Sequence, residues 1–326
     1  MLPNGSAHLR QSHARRDAIR SRRIADTIRH PLLRLAPMPL NYDKLMSTKF
    51  EPVRQTYARR DTMLYALGIG VGAVEPCDPQ ELKYVYEKTL VALPTLAVTL
   101  AAGAMRLSDP SNGINYRMLL HAEQTLQMHK PLPVEGTVVS EAVIDEIYDK
   151  GAAKGAIMYM TRRLYEASSG DLLVTMGNVA FLRADGGFGG KSEGAPKPRP
   201  VPADRPPDLR ATLPVTLNQA LIYRLSGDYN PLHIDPEVAR SAGFDRPILH
   251  GLGAYGSVGR TLIKVLCGDD PGRLRRLDVR FTSPVYPGEP LHADVWNLDA
   301  GDAAFRLVAS ERNVVVEDFG RVEYEA

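Results

Sequence analysis

The loop after residue 225 concentrates side chains that can move a proton. It reads Ser226-Gly-Asp-Tyr-Asn-Pro-Leu-His233, so Asp228 and His233 are five positions apart. Gly227 and Pro231 prevent a continuous helix there, and in an irregular loop the carboxylate and the imidazole can converge on one point. Because an ordinary histidine exchanges its proton near neutral pH, the pair predicts acid–base chemistry on a shared water.

A second candidate group lies where a long apolar stretch begins. His250-Gly251-Leu252 opens a run predicted to be helical as far as Leu266. The Gly251 N–H is then one of the first four helix donors, which have no partner inside the helix. The positive end of the helix dipole adds to its suitability for an oxyanion.

Structural and metal-binding roles compete with catalysis at several of these positions. Asp235 precedes Pro236 and is expected to cap the next helix. His250 can be a hydrogen-bonded histidine at a helix start, and Asp228 can be a turn residue. Asp228, His233 and His250 also make a two-histidine, one-carboxylate set, but their spacing is irregular and no metal is expected.

The elements that must position this loop occur twice along the chain. A short helix over residues 59–68 matches one that begins near a Thr216–Gln219 capping box and stops at Gly227. Each half continues with a long apolar helical stretch, over 95–105 and 252–266, and then alternating strands. The repeat predicts an α+β protein in which each half has a sheet around one long helix, with two unrelated α+β domains as the alternative. Where the second half has Asp228, the first has Gly70.

Composition divides the chain into four segments. Residues 186–207 contain five Gly and six Pro, which is typical of an interdomain linker. We therefore predict an Arg-rich extension over 1–37 that is disordered or not native, an N-terminal domain over 38–185, a linker over 186–209 and a catalytic domain over 210–326. The extension is alternatively a targeting segment or a basic arm for nucleic acid.

Charge and cysteine content limit the partners. The 326 residues carry a net charge of +2, but the eight arginines of residues 1–37 hide a mildly acidic remainder, so no nucleic acid is expected as partner of the body. Two cysteines are too few for a disulfide scaffold. With no apolar run long enough to span a membrane, these features predict a cytoplasmic protein.

The string YRLSGDYNPLHIDPEVARSAGFDRPILHGLGAYG, residues 223–256, closely resembles the signature of the (R)-specific, or type-2, enoyl-CoA hydratases of the MaoC-like dehydratase family. NYRMLLHAEQTLQMHKPLP and FLRADGGFGGK in the first half resemble the amino-terminal half of the two-domain members. The resemblance covers about residues 41–323. It implies a double hot-dog fold, with two antiparallel sheets each wrapped around a long central helix and only the second half catalytic.

The resemblance also assigns roles. It implies reversible hydration of trans-2-enoyl-CoA to (3R)-3-hydroxyacyl-CoA in fatty-acid metabolism such as β-oxidation. Asp228 and His233 would activate the water, Asn230 would help position it, and the Gly251 N–H would receive the thioester oxygen. His250 and Leu252, beside that amide, are candidate substrate-binding residues. Residues 93–105 would line an acyl tunnel. Because CoA phosphates call for exposed cations, Arg280 and Lys191 are candidates by their positions near strand or linker edges, with ordinary surface solvation as the alternative.

Two other functions fit the same residues. One is a (3R)-hydroxyacyl-ACP dehydratase of fatty-acid or polyketide synthesis, and the other is a non-catalytic protein that binds acyl thioesters. No cofactor is expected in any of these readings. The partners would be enoyl-CoA and 3-hydroxyacyl-CoA thioesters, and the chain would be a monomer of two hot-dog units or a homodimer.

Overall fold

Ten strands organise the computed structural model, which describes residues 39–104, 107 and 109–326. The predicted extension over 1–37 lies outside the described residues. The strands are β1 (Val53–Tyr57), β2 (Leu119–Met128), β3 (Gly136–Asp149), β4 (Ala156–Glu166), β5 (Leu172–Leu182), β6 (Leu209–Leu213), β7 (Leu274–Phe281), β8 (Leu291–Asp299), β9 (Asp302–Ala309) and β10 (Val314–Tyr324).

All ten strands belong to one antiparallel sheet with the order β1-β3-β4-β5-β2-β7-β10-β9-β8-β6. Read from either edge, the order is the same once β6 to β10 are matched to β1 to β5. The internal repeat is therefore real, and its two halves meet where β2 pairs with β7. The two sheets expected from the sequence are halves of one continuous sheet.

Six α-helices accompany the sheet in the described part of the chain. They are α1 (Tyr42–Ser47), α2 (Arg59–Gly68), α3 (Pro79–Leu82), α4 (Gln219–Tyr223), α5 (Pro236–Ser241) and α6 (Gly251–Leu266). The residues described contain no helix long and apolar enough to cross a membrane.

The equivalent helices α2 and α4 pack on each other. The Tyr65 and Tyr223 rings, which occupy matching positions in the repeat, lie 6.0 Å apart. A Cβ on Gly68 would lie 2.9 Å from the Tyr223 Cα, so the close approach of the two helices requires glycine. The alignment of the two halves therefore matches a direct contact between them.

The first half lacks the long central helix that we expected over 95–105. It has only short 3₁₀ segments, at Pro94–Val98 and Ala102–Ala104, separated by Ala101 in a left-handed conformation with φ 49°. That conformation cannot continue a right-handed helix. The Arg162 guanidinium instead donates hydrogen bonds to the carbonyls of Ala97, Val98 and Leu100.

In the second half, the long helix is present as α6. Its glycines allow close packing against the first half, since a Cβ on Gly256 would lie 2.6 Å from Ile69 Cγ2 and one on Gly259 would lie 2.9 Å from Thr95 Cγ2. One buried apolar cluster includes residues of both halves, among them Leu96 and Leu262. Residues Pro39–Ala326 accordingly form a single compact unit, and the finer domain boundaries stay a prediction.

Candidate functional site

The loop before α5 places Asp228 and His233 through local hydrogen bonds. Gly227 takes a left-handed φ of 118° and ends the turn that follows α4. Asp228 Oδ1 then accepts from the Asn230 N–H at 3.2 Å, and Asn230 Oδ1 accepts from the Leu232 N–H at 3.1 Å. These short bonds fold the loop so that Asp228 stays exposed while His233 is buried.

The hydrogen bonds of His233 decide which of its nitrogens can accept a proton. Its Nδ1 lies 2.9 Å from the carbonyl oxygen of Ile248. Because a carbonyl only accepts, Nδ1 carries the hydrogen and donates, which leaves Nε2 with its lone pair free. Burial lowers the pKa of His233 below its usual 6.5, outweighing the opposing effects of the Ile248 bond and the Asp228 charge. His233 is therefore a neutral acceptor at pH 7.

His250 supports the loop from the helix side. Its ring stacks on His233 with centroids 3.7 Å apart, and its Nε2 lies 3.2 Å from the backbone carbonyl oxygen of Asp228, to which it donates. Burial, followed by the proximity of His233, lowers the pKa of His250. Its Nδ1 is buried without a partner. His250 therefore joins the start of α6 to the loop that carries Asp228, as a neutral donor.

The three side chains converge. One ring nitrogen of each histidine and a carboxylate oxygen of Asp228 all lie within 4.8 Å of one another. A water with hydrogen bonds of about 2.8 Å can bridge two groups at that separation. The arrangement can hold a water between a carboxylate and a neutral imidazole, which is the geometry that the loop spacing predicted.

Gly251 is the first residue of α6 and is exposed. Its N–H lies at the start of a helix of 16 residues and has no intrahelical partner. A Cβ at this position would lie 3.4 Å from the Phe281 ring, so that ring stands beside the amide. The site thus combines a place where a water can bridge two side chains with a helix N-terminal amide on an exposed residue.

Two family models match the chain, one for each half. Residues 55–184 match the MFE-2 hydratase 2 N-terminal domain, and residues 200–318 match the MaoC like domain. A protein of Dictyostelium discoideum named probable enoyl-CoA hydratase 2 is 38% identical over 82% of this chain and 91% of its own length. The peroxisomal enoyl-CoA hydratase 2 of Arabidopsis thaliana is 37% identical over 85% and 93%. This chain belongs to the enoyl-CoA hydratase 2 family.

Solved structures agree with this membership of the enoyl-CoA hydratase 2 family. A MaoC-like dehydratase from Phytophthora capsici superposes with a TM-score of 0.76 at 34% identity, covering 86% of this chain and 98% of that one. A Mycobacterium tuberculosis protein described as a double hot-dog fold matches at 15% identity with a TM-score of 0.54, covering 88% and 98%, and speaks for the fold alone. The predicted double hot-dog architecture is confirmed, apart from the missing first-half helix.

A metal ion fits poorly between the histidines of this hydratase-family site. The ring planes are only 28° apart and the centroids 3.7 Å. A ligating imidazole holds its metal in the plane of the ring, at about 2.0 to 2.1 Å from the nitrogen. The planes of these two rings intersect farther from the nitrogens than that bond length, so one ion cannot lie in both planes. The stacked geometry therefore favours proton transfer over ligation.

The structure does not bring Arg280 to the site. Its Nε donates to Glu123 Oε1 at 2.8 Å, and its guanidinium lies over the Phe319 ring. Since neighbouring strand residues point to opposite faces and Phe281 faces Gly251, Arg280 lies on the other side of the sheet. Lys191 is paired with Glu146, and Leu252 packs on the core beside Gly251. Substrate binding by these residues stays a prediction.

One residue near the site escaped the analysis of the sequence. His121 on β2 packs edge-on against Phe281 with ring centroids 5.0 Å apart. It lies within the first-half string that resembles the family, but nothing in the spacing of that string assigned it chemistry.

The expected cap by Asp235 is present, since its Oδ1 accepts from the Glu237 and Val238 N–H groups.

Proposed function

We propose that this chain catalyses the reversible addition of water to trans-2-enoyl-CoA, giving (3R)-3-hydroxyacyl-CoA, in fatty-acid metabolism. The observation that carries the proposal is the unprotonated Nε2 of His233, left free by the Nδ1 bond to Ile248 beside the Asp228 carboxylate. The names of the relatives support it, because two of them are called enoyl-CoA hydratase 2.

The residues divide the reaction between them. His233 Nε2 accepts a proton from the bridged water as the water oxygen bonds to C3 of the enoyl thioester. The electron pair of the double bond moves toward the thioester oxygen, where the Gly251 N–H and the dipole of α6 stabilise the developing charge. Return of a proton to C2 from the Asp228–His233 pair completes the addition, so no co-reactant other than water is needed.

Asn230 helps to orient the water. Its Oδ1 is already engaged by the Leu232 N–H, so the amide nitrogen is directed away from that bond and can donate. In the part of the chain that the structure describes, this nitrogen has no protein partner. A donor beside two acceptors fixes the orientation of a water whose lone pair must face C3.

The test is hydration of crotonyl-CoA, followed as loss of the enoyl thioester absorbance, with chiral analysis of the product. We expect His233→Gln and Asp228→Asn to lower kcat about 10²- to 10⁴-fold, because each removes a proton-transfer group. Crotonyl-ACP, assayed in parallel, identifies the carrier.

Matched controls make the result specific. His129→Gln changes an exposed histidine that directly follows β2, and Asp245→Asn changes an exposed aspartate close in sequence to α5. Both should hydrate crotonyl-CoA like the wild type, with unchanged circular dichroism in all four variants. Full activity in His233→Gln would defeat the assignment, and failure of the wild type to hydrate any enoyl thioester would favour a non-catalytic binding protein.

The pH profile gives a second readout. Since burial lowers the pKa of His233, its base form persists at pH 7 and is lost only below pH 6.5. We expect kcat/KM to fall at low pH with the steepness of a single protonation. The pH profile of His233→Gln should lack this decline.

The compartment and the assembly are part of the proposal. Cys77 and Cys267 are both free thiols, which supports a reducing compartment such as the cytoplasm. A fluorescent fusion distinguishes the cytoplasm from the peroxisome, the compartment that the name of the Arabidopsis relative gives. Light scattering after gel filtration distinguishes a monomer of two hot-dog units from a homodimer.

A further inference from the structure

His121 stands out because the first half contributes it to a site otherwise built from the second. It lies on β2, next to β7 at the junction of the two halves. Its ring meets the edge of Phe281, and Phe281 stands beside Gly251. Phe281 therefore lies beside both the His121 ring and the first residue of α6.

The bulge in β2 explains why His121 reaches this face. The pairing of β2 with β5 shifts register between His121 and Glu123. Without the shift, residues 121 and 123 would share a face. With it, Glu123 faces outward to Arg280 while His121 faces Phe281. The Asp228 carboxylate is close enough to raise the pKa of His121, although burial dominates and lowers it to about 4.

Hydrogen bonding leaves one nitrogen of His121 available. Its Nε2 lies 3.0 Å from the Glu123 carbonyl oxygen and 2.8 Å from the side-chain amide nitrogen of Asn178. The carbonyl only accepts, so we assign the hydrogen to Nε2. The Asn178 amide, whose oxygen and nitrogen are assigned from such bonds, is then turned by 180° so that its oxygen accepts from the ring. Nδ1 is left as an acceptor. It has no hydrogen-bond partner within the described ranges, and it is not among the described polar atoms that are fully buried without a partner.

We propose that His121 Nδ1 accepts a hydrogen bond from the first amide N–H of the phosphopantetheine arm of the substrate. This inference rests on the proposed function. The thioester oxygen at Gly251 places the sulfur nearby, and the amide nitrogen follows two carbons beyond the sulfur. Phe281 contacts the His121 ring and stands beside Gly251, which places His121 on the side of the site where that amide would lie. A neutral acceptor is the group that an amide N–H requires.

The wild-type protein tests the inference with truncated substrates. Crotonyl-N-acetylcysteamine retains the amide N–H, and its N-methyl analogue lacks the donor. We expect the N-methyl analogue to have a kcat/KM about 2- to 12-fold lower, the worth of one hydrogen bond, with the loss mainly in KM. Equal kcat/KM for the two thioesters would overturn the inference.

Two substitutions assign the effect to one nitrogen. His121→Gln keeps a donor near Nε2 for Glu123 but lacks an acceptor at Nδ1, whereas His121→Asn places its oxygen near Nδ1. We expect Gln to abolish the discrimination between the two thioesters and Asn to restore it in part. His129→Gln is the control and should discriminate like the wild type.

The outcomes separate this inference from the proposed function. If the wild type hydrates both thioesters without discrimination, the reaction stands and the role of His121 fails. If neither thioester nor crotonyl-CoA is hydrated, the proposed function itself fails. Discrimination that survives in His121→Gln overturns the assignment to this residue. If His121→Asn discriminates between the two thioesters as little as His121→Gln does, His121 has a structural role and the inference is overturned as well.

Discussion

Three histidines near the site differ in which ring nitrogen is hydrogen-bonded to a backbone carbonyl. A carbonyl holds Nδ1 of His233 but Nε2 of His250 and of His121. Burial lowers the pKa of all three, so each is neutral at pH 7 and presents one acceptor. In the proposed reaction the same side-chain type therefore serves as a base toward water at His233, whereas His250 supports the loop and His121 is an acceptor beside Phe281.

Glu317 is a buried acid that the proposed reaction does not use. It lies on β10 opposite Phe281, and neither carboxyl oxygen has a partner. Burial raises its pKa from 4.5 to about 8, with no neighbouring charge to offset the effect. Glu317 is therefore protonated at pH 7 and lies next to the ring that flanks the site.

This acid predicts a pH-dependent stability. Between pH 4.5 and about 8 the folded state retains a proton that the unfolded state has released, so the free energy of unfolding falls as pH rises through that window. We expect Glu317→Gln to match the wild type near pH 4.5 and to be more stable at pH 8, by on the order of 4 kcal/mol. Urea unfolding at both pH values measures the difference.

The control lies on the same strand. Glu323 is partly exposed and pairs with Arg321 at 2.8 Å, so Glu323→Gln should change stability by less than about 1 kcal/mol at either pH. A pH-independent difference between Glu317→Gln and the wild type would show that the carboxyl of Glu317 is ionised in the folded protein.

The placement of the candidate site residues was predictable where it was local, and their chemistry stays a prediction. Asp228 and His233 are close in sequence, and the residues between them fold the loop. His121 is more than a hundred positions from Asp228, and it lies at the junction of the halves because β2 pairs with β7, which no local pattern indicates. Arg280 donates to Glu123 in the sheet, a pairing that its charge alone did not indicate, and its contact with the CoA phosphates stays a prediction.

At the scale of elements, the first-half core depends on Arg162. This buried guanidinium donates to Ala97 O at 3.1 Å and to Val98 O at 3.0 Å, and burial lowers its pKa to about 10. It satisfies carbonyls that a continuous α-helix would have satisfied internally. The 3₁₀ segment and the arginine are thus one structural unit.

We therefore expect Arg162→Lys to destabilise the protein by roughly 3 kcal/mol in urea unfolding. A single ammonium cannot reach all the carbonyls that the guanidinium bonds, and each buried carbonyl left unpaired costs about 1 to 3 kcal/mol. Arg163→Lys, at the neighbouring exposed position on β4, should stay within about 0.5 kcal/mol of the wild type. Similar losses in the two variants would refute the role of Arg162.

The alternation of polar and apolar residues that predicts strands in both halves leaves three of the ten described strands unmarked. The missed strands β1 and β6 form the two edges of the sheet and have five residues each, which is too short for a clear period. The third, β2, is interrupted by its bulge, which breaks the alternation of polar and apolar residues. The prediction of a long helix over 95–105 was wrong. The segment is apolar, as a buried helix would be, but Ala101 has a left-handed conformation that ends the helical turn.

At the scale of the molecule, the symmetry of the sheet contrasts with the asymmetry of the chemistry. The strand order is the same from both edges, but Asp228 and His233 have Gly70 and Glu75 at the matching places. Two features make the halves interdependent. Strands β2 and β7 form the middle of the sheet, and the glycine face of α6 packs on residues of the first half.

The interdependence predicts that the described body unfolds in one cooperative step. Calorimetry should give a single transition with equal calorimetric and van't Hoff enthalpies, and Arg162→Lys should lower its midpoint as a whole. Because Arg162 lies in the first half and Asp228 in the second, loss of crotonyl-CoA hydration on heating should move down with that midpoint. Two resolved transitions, or hydration that outlasts unfolding of the first half, would mean that the halves are stable independently despite their shared core.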